Sequence, residues 1–304
     1  MRWGLHNDAV QWVLALVGVL GVSASGPLMA AIAAPALAIA FWRNGLAAAV
    51  LAPVAVTTRR TEITGLSRRE WRVLVVAAVS LAAHFALWVT ALKLTSVASA
   101  TALVCLMGGW VVLINRFRGE PVSRAVLAGL VIAFCGVLVI SGFDTTVSTE
   151  ALVGDLLALA GGLFAAVYTI AGGEARRTLS TTAYTSVCYT LCAALLLVAC
   201  LAARQDLGGF SGRTWLGLVA VTACSQLLGH SVFNHLLATT SAEVVSLALL
   251  LEVPGAALLA AWFLGQQPPL AALGGLVLVL AGMALVIVQS RSTERAAPLR
   301  APVD

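Results

Sequence analysis

Four ionisable side chains lie deep inside long apolar runs of the sequence: Arg43, His84, His230 and Glu252. A carboxylate shielded from water is able to bind a proton or an amine in one state and release it in another. An imidazole both donates and accepts hydrogen bonds and takes up a proton near neutral pH. Two interpretations remain open. The set forms a site for a proton or an amine, or its members are fixed structural partners, with Glu252 paired to Arg43 or to a helix end.

Three polar residues, Gln226, His230 and Asn234, follow one another at intervals of four. In an α-helix this spacing places them on one face, which in an apolar helix turns away from lipid. His84 and Trp88 are also four apart. Such side chains line a binding site or join helices by hydrogen bonds, and Trp and Tyr are common at membrane interfaces as well. The predicted lining of a substrate site is His84, Trp88, Trp110, Tyr168, Gln226, His230 and Asn234.

The elements that carry these residues are too apolar for a soluble protein. Of 304 residues, 61% are hydrophobic and 10% are charged, whereas soluble domains average about 45–50% and about 25%. This composition excludes a soluble enzyme and a nucleic-acid-binding protein. A bilayer core of about 30 Å requires roughly 20 apolar residues per helix. We predict an all-α membrane protein with an uncleaved first span and ten spans in total, near residues 9–28, 34–56, 72–92, 98–116, 124–142, 153–171, 182–203, 214–237, 241–264 and 270–289.

Basic residues are distributed unevenly between the loops that join these spans. With the N-terminus inside, fourteen of the 18 Lys and Arg residues lie in cytoplasmic segments, and three, Lys93, Arg204 and Arg213, lie on the opposite side. Because basic residues are retained on the cytoplasmic side of a membrane, both termini are predicted to be cytoplasmic. The preference for Arg over Lys fits a GC-rich bacterial genome. In a bacterium, we expect this helical membrane protein in the cell (inner) membrane.

The chain contains an internal repeat with an offset of 146 residues. His84 aligns with His230 without a gap, and Gly108 aligns with Pro254. Each half then holds five spans, an odd number, so the second half enters the membrane from the opposite face. Inverted repeats of this kind are found in many secondary transporters. We predict repeats over 1–146 and 147–290, with a disordered cytoplasmic tail over 291–304. Other aligned pairs are Gly109–Gly255, Gly119–Gly265, Gly129–Gly275, Gly136–Gly282 and Glu120–Gln266.

Equivalent positions of the two repeats carry residues that weaken a helix. Pro254 has no amide hydrogen, so the carbonyl of Leu250 loses its helical partner. Gly108 and Gly109 occupy the matching place in the first repeat. Paired helix breaks near the membrane centre are typical of transporter binding sites, but glycine also serves close helix packing. For Gly108 and Gly109 both interpretations remain open.

Other polar marks are interpreted as structural. Glu120 follows Arg116 and Arg118 in a short loop and is expected to pair with them. Asp155 is expected to complement the N-terminus of the sixth span. The six cysteines lie in apolar runs without the spacing of a zinc site. No nucleotide-binding loop or hydrolase motif occurs, so we expect no metal and no cofactor.

Several short motifs occur in an order that resembles one family. They are Phe41-Trp42-Arg43, Thr95-Ser96-Val97-Ala98-Ser99-Ala100, Gly119-Glu120-Pro121, Gly154-Asp155, Glu252-Val253-Pro254, Leu264-Gly265 and Gly274-Gly275. Over nearly its whole length the chain resembles the EamA-type, ten-helix members of the drug/metabolite transporter (DMT) superfamily. It departs from that pattern at Gly108-Gly109, where proline is usual, and at Gln266, where glutamate is usual. Val253 also separates Glu252 from its proline.

The resemblance implies a midplane cavity walled by spans 1, 3, 4, 6, 8 and 9. It also implies export of small metabolites such as amino acids and related compounds, or of drugs, by alternating access and with coupling to a proton gradient. The expected partners are a small-molecule substrate, the lipid bilayer and protons, with no nucleic acid, and the chain acts as a monomer or a homodimer. A passive facilitator or channel and an intramembrane enzyme are the alternatives.

The predicted topology is tested by single cysteines introduced at Asp144 and Glu174. These residues follow the fifth and the sixth predicted span. An impermeant maleimide added to intact cells is expected to label Asp144→Cys, and to label Glu174→Cys only after permeabilisation. Labelling of both positions from one side would contradict the ten-span arrangement.

Overall fold

The structure is a computed structural model that describes most of the chain. It describes residues 4–119, 122–142, 148–238, 245, 248–266, 274–275, 277–282 and 285, with the backbone alone for 4–12 and 140–142. The predicted tail, the predicted ion pairs of Glu120 and the start of the predicted ninth span lie outside the described residues.

The described residues are helical apart from short connections, which confirms the all-α class. A π-helical segment, Thr222–His230, lies between two of the α-helices. The α-helices are α1 Gly4–Ser23, α2 Ser25–Ala31, α3 Ala36–Thr58, α4 Arg60–Thr64, α5 Arg68–Leu94, α6 Val97–Val104, α7 Met107–Phe117, α8 Arg124–Gly142, α9 Thr149–Ala175, α10 Thr181–Ala202, α11 Gly212–Val221, α12 Ser231–Leu236 and α13 Glu252–Leu264.

Within the described residues, seven helical stretches are long and apolar enough to cross a membrane. They are Val13–Ala31, Ala36–Thr58, Arg68–Leu94, Val97–Phe117, Thr149–Ala175, Thr181–Ala202 and Gly212–Leu236. Two shorter apolar helices, Arg124–Val139 and Glu252–Leu264, lie within the predicted fifth and ninth spans. The predicted tenth span is described only in part. A multi-pass membrane protein is confirmed, whereas the count of ten spans stays a prediction.

Serine side chains mark the start of several helices. At α5, the hydroxyl of Ser67 accepts a hydrogen bond from the amide of Glu70, and the Glu70 carboxylate accepts one from the amide of Ser67. This reciprocal arrangement satisfies two amides that a helix start leaves unpaired. The same type of serine cap starts α6, α9, α10 and α11 at Ser96, Ser148, Ser180 and Ser211.

Lys93 caps the opposite kind of helix end. Its Nζ donates to the carbonyl oxygens of Met29 at 3.1 Å, Ala30 at 3.3 Å and Ile32 at 2.8 Å, at the end of α2. The positive charge also offsets the negative end of the helix dipole. The cap fixes the ends of α2 and α5 beside each other, so the first and third spans end on the same side of the membrane.

The helices pack in pairs that the 146-residue repeat relates to one another. α3 packs along α10, and α6 packs against α13, so each of these pairs joins equivalent spans of the two repeats. α5 packs along α9, and the equivalent contact of the other repeat joins the π-helical segment to α1. A two-fold relation between the repeats requires this pattern of contacts.

Two glycine contacts between α8 and residues 274–282 are reciprocal. A Cβ atom added to Gly136 would lie 2.5 Å from the carbonyl oxygen of Gly275, and one added to Gly282 would lie 2.5 Å from that of Gly129. The repeat aligns Gly129 with Gly275 and Gly136 with Gly282, so each contact is the image of the other, as in an isologous interface. Because these residues lack side chains, the two backbones approach closely.

A polar cluster joins the start of α5, the next long helix after α3, to the end of α9. Glu174 forms ion pairs with Arg69 at 2.7 Å and with Arg177 at 3.2 Å. The Thr178 hydroxyl donates to Oε1 of Glu70 at 2.9 Å. The second and sixth spans therefore end on the same side of the membrane, which agrees with the cytoplasmic position predicted for both segments.

The role predicted for Asp155 is wrong. Because α9 begins at Thr149, Asp155 lies beyond the first turn, where the helix dipole acts most strongly. Its Oδ1 instead accepts hydrogen bonds from the Thr95 hydroxyl at 2.9 Å and the Ser99 hydroxyl at 2.8 Å. Asp155 thus ties the sixth span to the connection between the third and fourth spans.

Substitution of the reciprocal glycines tests the close approach of the two backbones. Gly136→Ala and Gly282→Ala are each expected to lower the free energy of unfolding by about 1–3 kcal/mol, because the added methyl group overpacks the contact. Gly173→Ala is the control, since nothing lies within 4 Å of a Cβ atom added there. Thermal unfolding in detergent measures the difference. Equal stability of Gly136→Ala and Gly173→Ala would contradict the contact.

Candidate functional site

A cavity of about 40 Å³ lies where α5, α9, α12 and α13 meet the connection between α6 and α7. At this size the cavity holds roughly three water molecules. Six residues of the sequence prediction line it: His84, Trp88, Tyr168, His230, Asn234 and Glu252. The remaining lining residues are Val104, Cys105, Met107, Ala165, Thr169, Phe233, Leu237, Val245 and Leu249.

Glu252 supplies the carboxylate of this cavity. It is the first residue of α13 and is 6% exposed. In the described part of the chain its Oε1 has no hydrogen-bond partner, and no ion pair joins it to Arg43. A buried carboxylate oxygen without a partner is unusual in a folded protein. Its position leaves it free to accept a hydrogen bond from a ligand or to bind a proton.

The two aligned histidines approach the cavity from different helices. Nδ1 of His84 lies 3.1 Å from the carbonyl oxygen of Gly161 and therefore carries the proton of the neutral ring, which leaves Nε2 as an acceptor. His84 stacks on Trp88, with ring centroids 5.5 Å apart. The ring of His230 is nearly perpendicular to that of Phe85, with centroids 5.6 Å apart. Among the described residues, the indole nitrogen of Trp88 has no acceptor.

Arg43 lies beside the cavity in a fully buried hydrogen-bond network. Its Nε donates to Oε1 of Gln226 at 2.9 Å, and its Nη1 donates to the Ser25 hydroxyl at 3.1 Å. Nε2 of Gln226 in turn donates to Oδ1 of Asn44 at 3.1 Å. Gln226 is thus a partner of Arg43 and does not line the cavity. Of the two roles that the sequence left open, the structure gives Gln226 the hydrogen bond between helices.

Phe85 connects this network to the cavity. The guanidinium carbon of Arg43 lies 4.1 Å from the centroid of the Phe85 ring, in a cation–π arrangement, and His230 packs against the same ring in a T-shaped arrangement. Sequence reasoning missed Phe85, because one more phenylalanine in an apolar run carries no pattern. Its position next to His84 in the chain was the single available signal.

The helix that carries Gln226 and His230 is not α-helical at these residues. The π-helical segment Thr222–His230 widens the turn, and the Ser231 hydroxyl donates to the carbonyl oxygen of Gln226 at 3.1 Å. The predicted polar face of Gln226, His230 and Asn234 assumed α-helical spacing. The π-helical turn changes the angles between these side chains, so the structure corrects that prediction. π-Helical turns are often found at functional sites. The residue types of this segment do not predict one.

Tyr168 and Asn234 form a second chain of hydrogen bonds at the cavity wall. The Tyr168 hydroxyl donates to Oδ1 of Asn234 at 2.8 Å, and Nδ2 of Asn234 donates to the Tyr189 hydroxyl at 3.1 Å. Nε of Arg176 donates to the backbone oxygen of Asn234 at 3.0 Å. Tyr189 was not predicted, although it lies on the span that packs against α3. These bonds fix the orientation of both lining side chains.

The helix breaks lie earlier in the chain than predicted. The first separates α6 from α7 at Cys105–Leu106, and the second lies at 250–251, directly before α13. Pro254 is in the first turn of α13, where a missing amide hydrogen costs little. The carbonyl of Leu250 is not left unpaired, since it accepts from the amide of Val253 at 3.1 Å.

Three predicted residues belong to a different surface. Gly108, Gly109 and Trp110 are part of α7 and line a groove between α7 and α8 rather than the cavity. The structure therefore brings together the two histidines, Trp88 and Glu252, but it does not bring Trp110 to them.

The buried network of Arg43 is tested by a double-mutant cycle. Gln226→Leu leaves Nε of Arg43 without its acceptor and is expected to lower the free energy of unfolding by about 1–3 kcal/mol. Adding Arg43→Met removes the unpaired donor, so the double variant is expected to recover part of this loss. Thermal unfolding in detergent provides the measurement. Gln205→Leu is the control, because Oε1 of Gln205 has no partner in the described part of the chain. Additive losses would contradict direct coupling.

Comparison with known proteins identifies the family. The model of the EamA-like transporter family matches residues 11–142 and again residues 152–288. A solved structure, titled as the crystal structure of a protein, has a TM-score of 0.73 and 20% sequence identity, over 94% of this chain and 99% of the other. At this identity the likeness supports the fold alone. No protein of curated function matches the chain significantly. The two matched segments confirm the resemblance that the motifs indicated: the chain belongs to the EamA-like transporter family, whose architecture consists of two repeats.

Proposed function

We propose that this protein is a secondary active transporter that exports small polar or amphipathic metabolites, such as amino acids or related compounds, or drugs, by alternating access. A proton and an amine group of the substrate bind in turn to Glu252. The observation that carries this proposal is the unpartnered oxygen of Glu252 at a cavity between the two repeats. The family assignment makes transport the starting point, and the site gives it a mechanism.

The walls of the cavity suit a cationic group. Trp88, Tyr168 and Phe233 line the same cavity as Glu252, and aromatic faces attract cations, most strongly where water is excluded. An ammonium group entering this space would find one carboxylate and several rings. Because Glu252 serves a proton or an ammonium group but not both at once, binding of one releases the other.

The size of the cavity supports a mechanism with more than one conformation. Binding sites for small molecules usually measure about 300–1,000 Å³, whereas this cavity measures about 40 Å³. The helices around it must move apart before an amino acid enters. The break at Cys105–Leu106 and the π-helical segment Thr222–His230 interrupt regular hydrogen bonding beside the cavity. We propose that the repeats move relative to each other at these points.

Two other functions predict different behaviour. A channel or passive facilitator requires a continuous path, so it conducts without saturation and shows no counterflow of labelled substrate against unlabelled substrate. An intramembrane enzyme requires a nucleophile or a metal. Within the described residues no group of three His, Cys, Asp or Glu is arranged to hold a metal ion.

We place the protein in the cell (inner) membrane with both termini in the cytoplasm. The distribution of basic residues supports this orientation. In it, the cluster of Arg69, Glu174 and Arg177 faces the cytoplasm, and Asp155 with Thr95 lies at the opposite side.

Glu252→Gln tests the exchange of proton and substrate. Proteoliposomes are loaded with a pH-sensitive dye, a pH gradient is imposed, and a panel of amino acids and organic amines is added. In the native protein we expect a transported compound to discharge the gradient. Glutamine keeps the shape of the side chain but binds no proton in this range, so discharge is expected to fall at least about ten-fold.

The control variant is Glu150→Gln, which removes an exposed carboxylate at the start of α9, away from the cavity. It is expected to discharge the gradient as the native protein does. Full gradient-dependent discharge by Glu252→Gln would remove Glu252 from the coupling role. Saturable counterflow by the same variant would leave the carrier mechanism in place.

A further inference from the structure

A second space lies between α7 and α8 and adjoins the cavity of the proposed transport site at Cys105, which lines both. This α7–α8 groove has a volume of about 410 Å³. Its walls are apolar except at one end, where the side chain of Arg116 is located. The lining residues are Cys105, Leu106, Gly108, Gly109, Trp110, Val112, Leu113, Arg116, Val122, Leu127, Leu130, Val131, Ala133, Phe134, Leu159 and Leu250.

The sides of the groove are exposed rather than packed against other helices. Leu113 is 42% exposed, Val131 57% and Phe134 43%. Gly109 leaves the floor open, since nothing lies within 4 Å of a Cβ atom added there. In a protein that spans a membrane, an apolar surface of this kind faces the hydrocarbon chains of the bilayer.

The length of the groove matches one leaflet. Cys105 lies at the end of the groove nearest the membrane centre, here called the inner end, and Arg116 lies at the end nearest the membrane surface, the outer end. From Cys105 to Arg116 there are eleven residues, which in a helix correspond to about 16 Å. Half of a hydrocarbon core is about 15 Å thick. An acyl chain that starts at the membrane surface near Arg116 therefore ends beside the helix break at Cys105–Leu106.

The outer end of the groove carries positive charge. Arg116 is exposed in the last turn of α7, and Arg118 and Arg124 follow at the end of α7 and the start of α8. Within the part of the chain that is described, no acidic residue pairs with Arg116. Glu120, the partner that the sequence predicts for Arg116 and Arg118, lies outside that part, and its single negative charge leaves an excess of two positive charges from Arg116, Arg118 and Arg124. A basic side chain at the membrane surface attracts the phosphate of an anionic lipid.

We propose that the α7–α8 groove is a binding site for an anionic phospholipid of the bilayer. One acyl chain occupies the groove between Gly109 and Phe134, and the headgroup phosphate pairs with Arg116. A phospholipid fits because the groove is apolar over the length of one leaflet and carries a cation at its surface end. An amphipathic substrate would share this chemistry but would have to leave the groove during each transport cycle.

Native mass spectrometry of the purified full chain tests the site. The protein is equilibrated with equal amounts of phosphatidylglycerol and phosphatidylcholine that carry identical acyl chains. We expect the native protein to retain phosphatidylglycerol preferentially. Arg116→Gln is expected to lower the ratio of retained phosphatidylglycerol to phosphatidylcholine about five-fold, the factor expected for one basic residue at an anionic surface. Arg118→Gln removes a neighbouring positive charge that does not line the groove. It therefore measures the effect of surface charge alone and is expected to lower the ratio less than Arg116→Gln does.

Filling the groove tests the acyl-chain position independently. Gly109→Leu places a side chain in the open floor and is expected to reduce retention of both lipids, whereas Gly173→Leu, at another open helical glycine, is not. Val131→Trp fills the groove from α8 and serves if Gly109→Leu does not give a monodisperse protein. Equal lipid ratios in Arg116→Gln and Arg118→Gln, or undiminished retention in the filled variants, would overturn the proposal. Each result is independent of transport activity.

Discussion

The exclusion of water from the membrane interior is the constraint on which this structure depends. A polar group there must find its partner within the protein, because lipid offers none. Arg43 shows the consequence most clearly. Its guanidinium is fully buried, Gln226 and Ser25 accept hydrogen bonds from Nε and Nη1, and the ring of Phe85 lies 4.1 Å from its central carbon. These partners come from three other spans, so one charge fixes the relative position of four helices. Nη2 has no hydrogen-bond partner within the described residues.

The same constraint gives meaning to the polar atoms that lack partners. Oε1 of Glu252 and the indole nitrogen of Trp88 are both buried and both unpaired within the described residues, and both residues line the same cavity. Tyr168 and Asn234 in the same wall are hydrogen-bonded to each other, and Asn234 also bonds to Tyr189 behind the wall. An acceptor and a donor without partners in one small space are the features that a ligand would complete.

Helix ends are organised by the same rule at the membrane surfaces. Serine caps and the capping box of α5 satisfy the first amides of their helices, and Lys93 satisfies the last carbonyls of α2. Asp155 joins two helix ends through Thr95 and Ser99. These local bonds hold the ends of the spans, while glycine contacts such as Gly136 on Gly275 set the distance between their middles.

By itself, the sequence determined the all-helical membrane class, the 146-residue repeat and the set of polar residues that lie within apolar spans. These properties follow from composition and spacing, because the hydrocarbon core accepts only apolar segments of sufficient length and this requirement acts on each segment by itself. Tertiary structure alone decided that Gln226 serves Arg43 and not the cavity, that Phe85 links the two, and that Trp110 faces a groove. The physical reason is that a partner is chosen by distance between helices, and neither the π-helical turn at Thr222–His230 nor the break at Cys105–Leu106 leaves a signal in residue types.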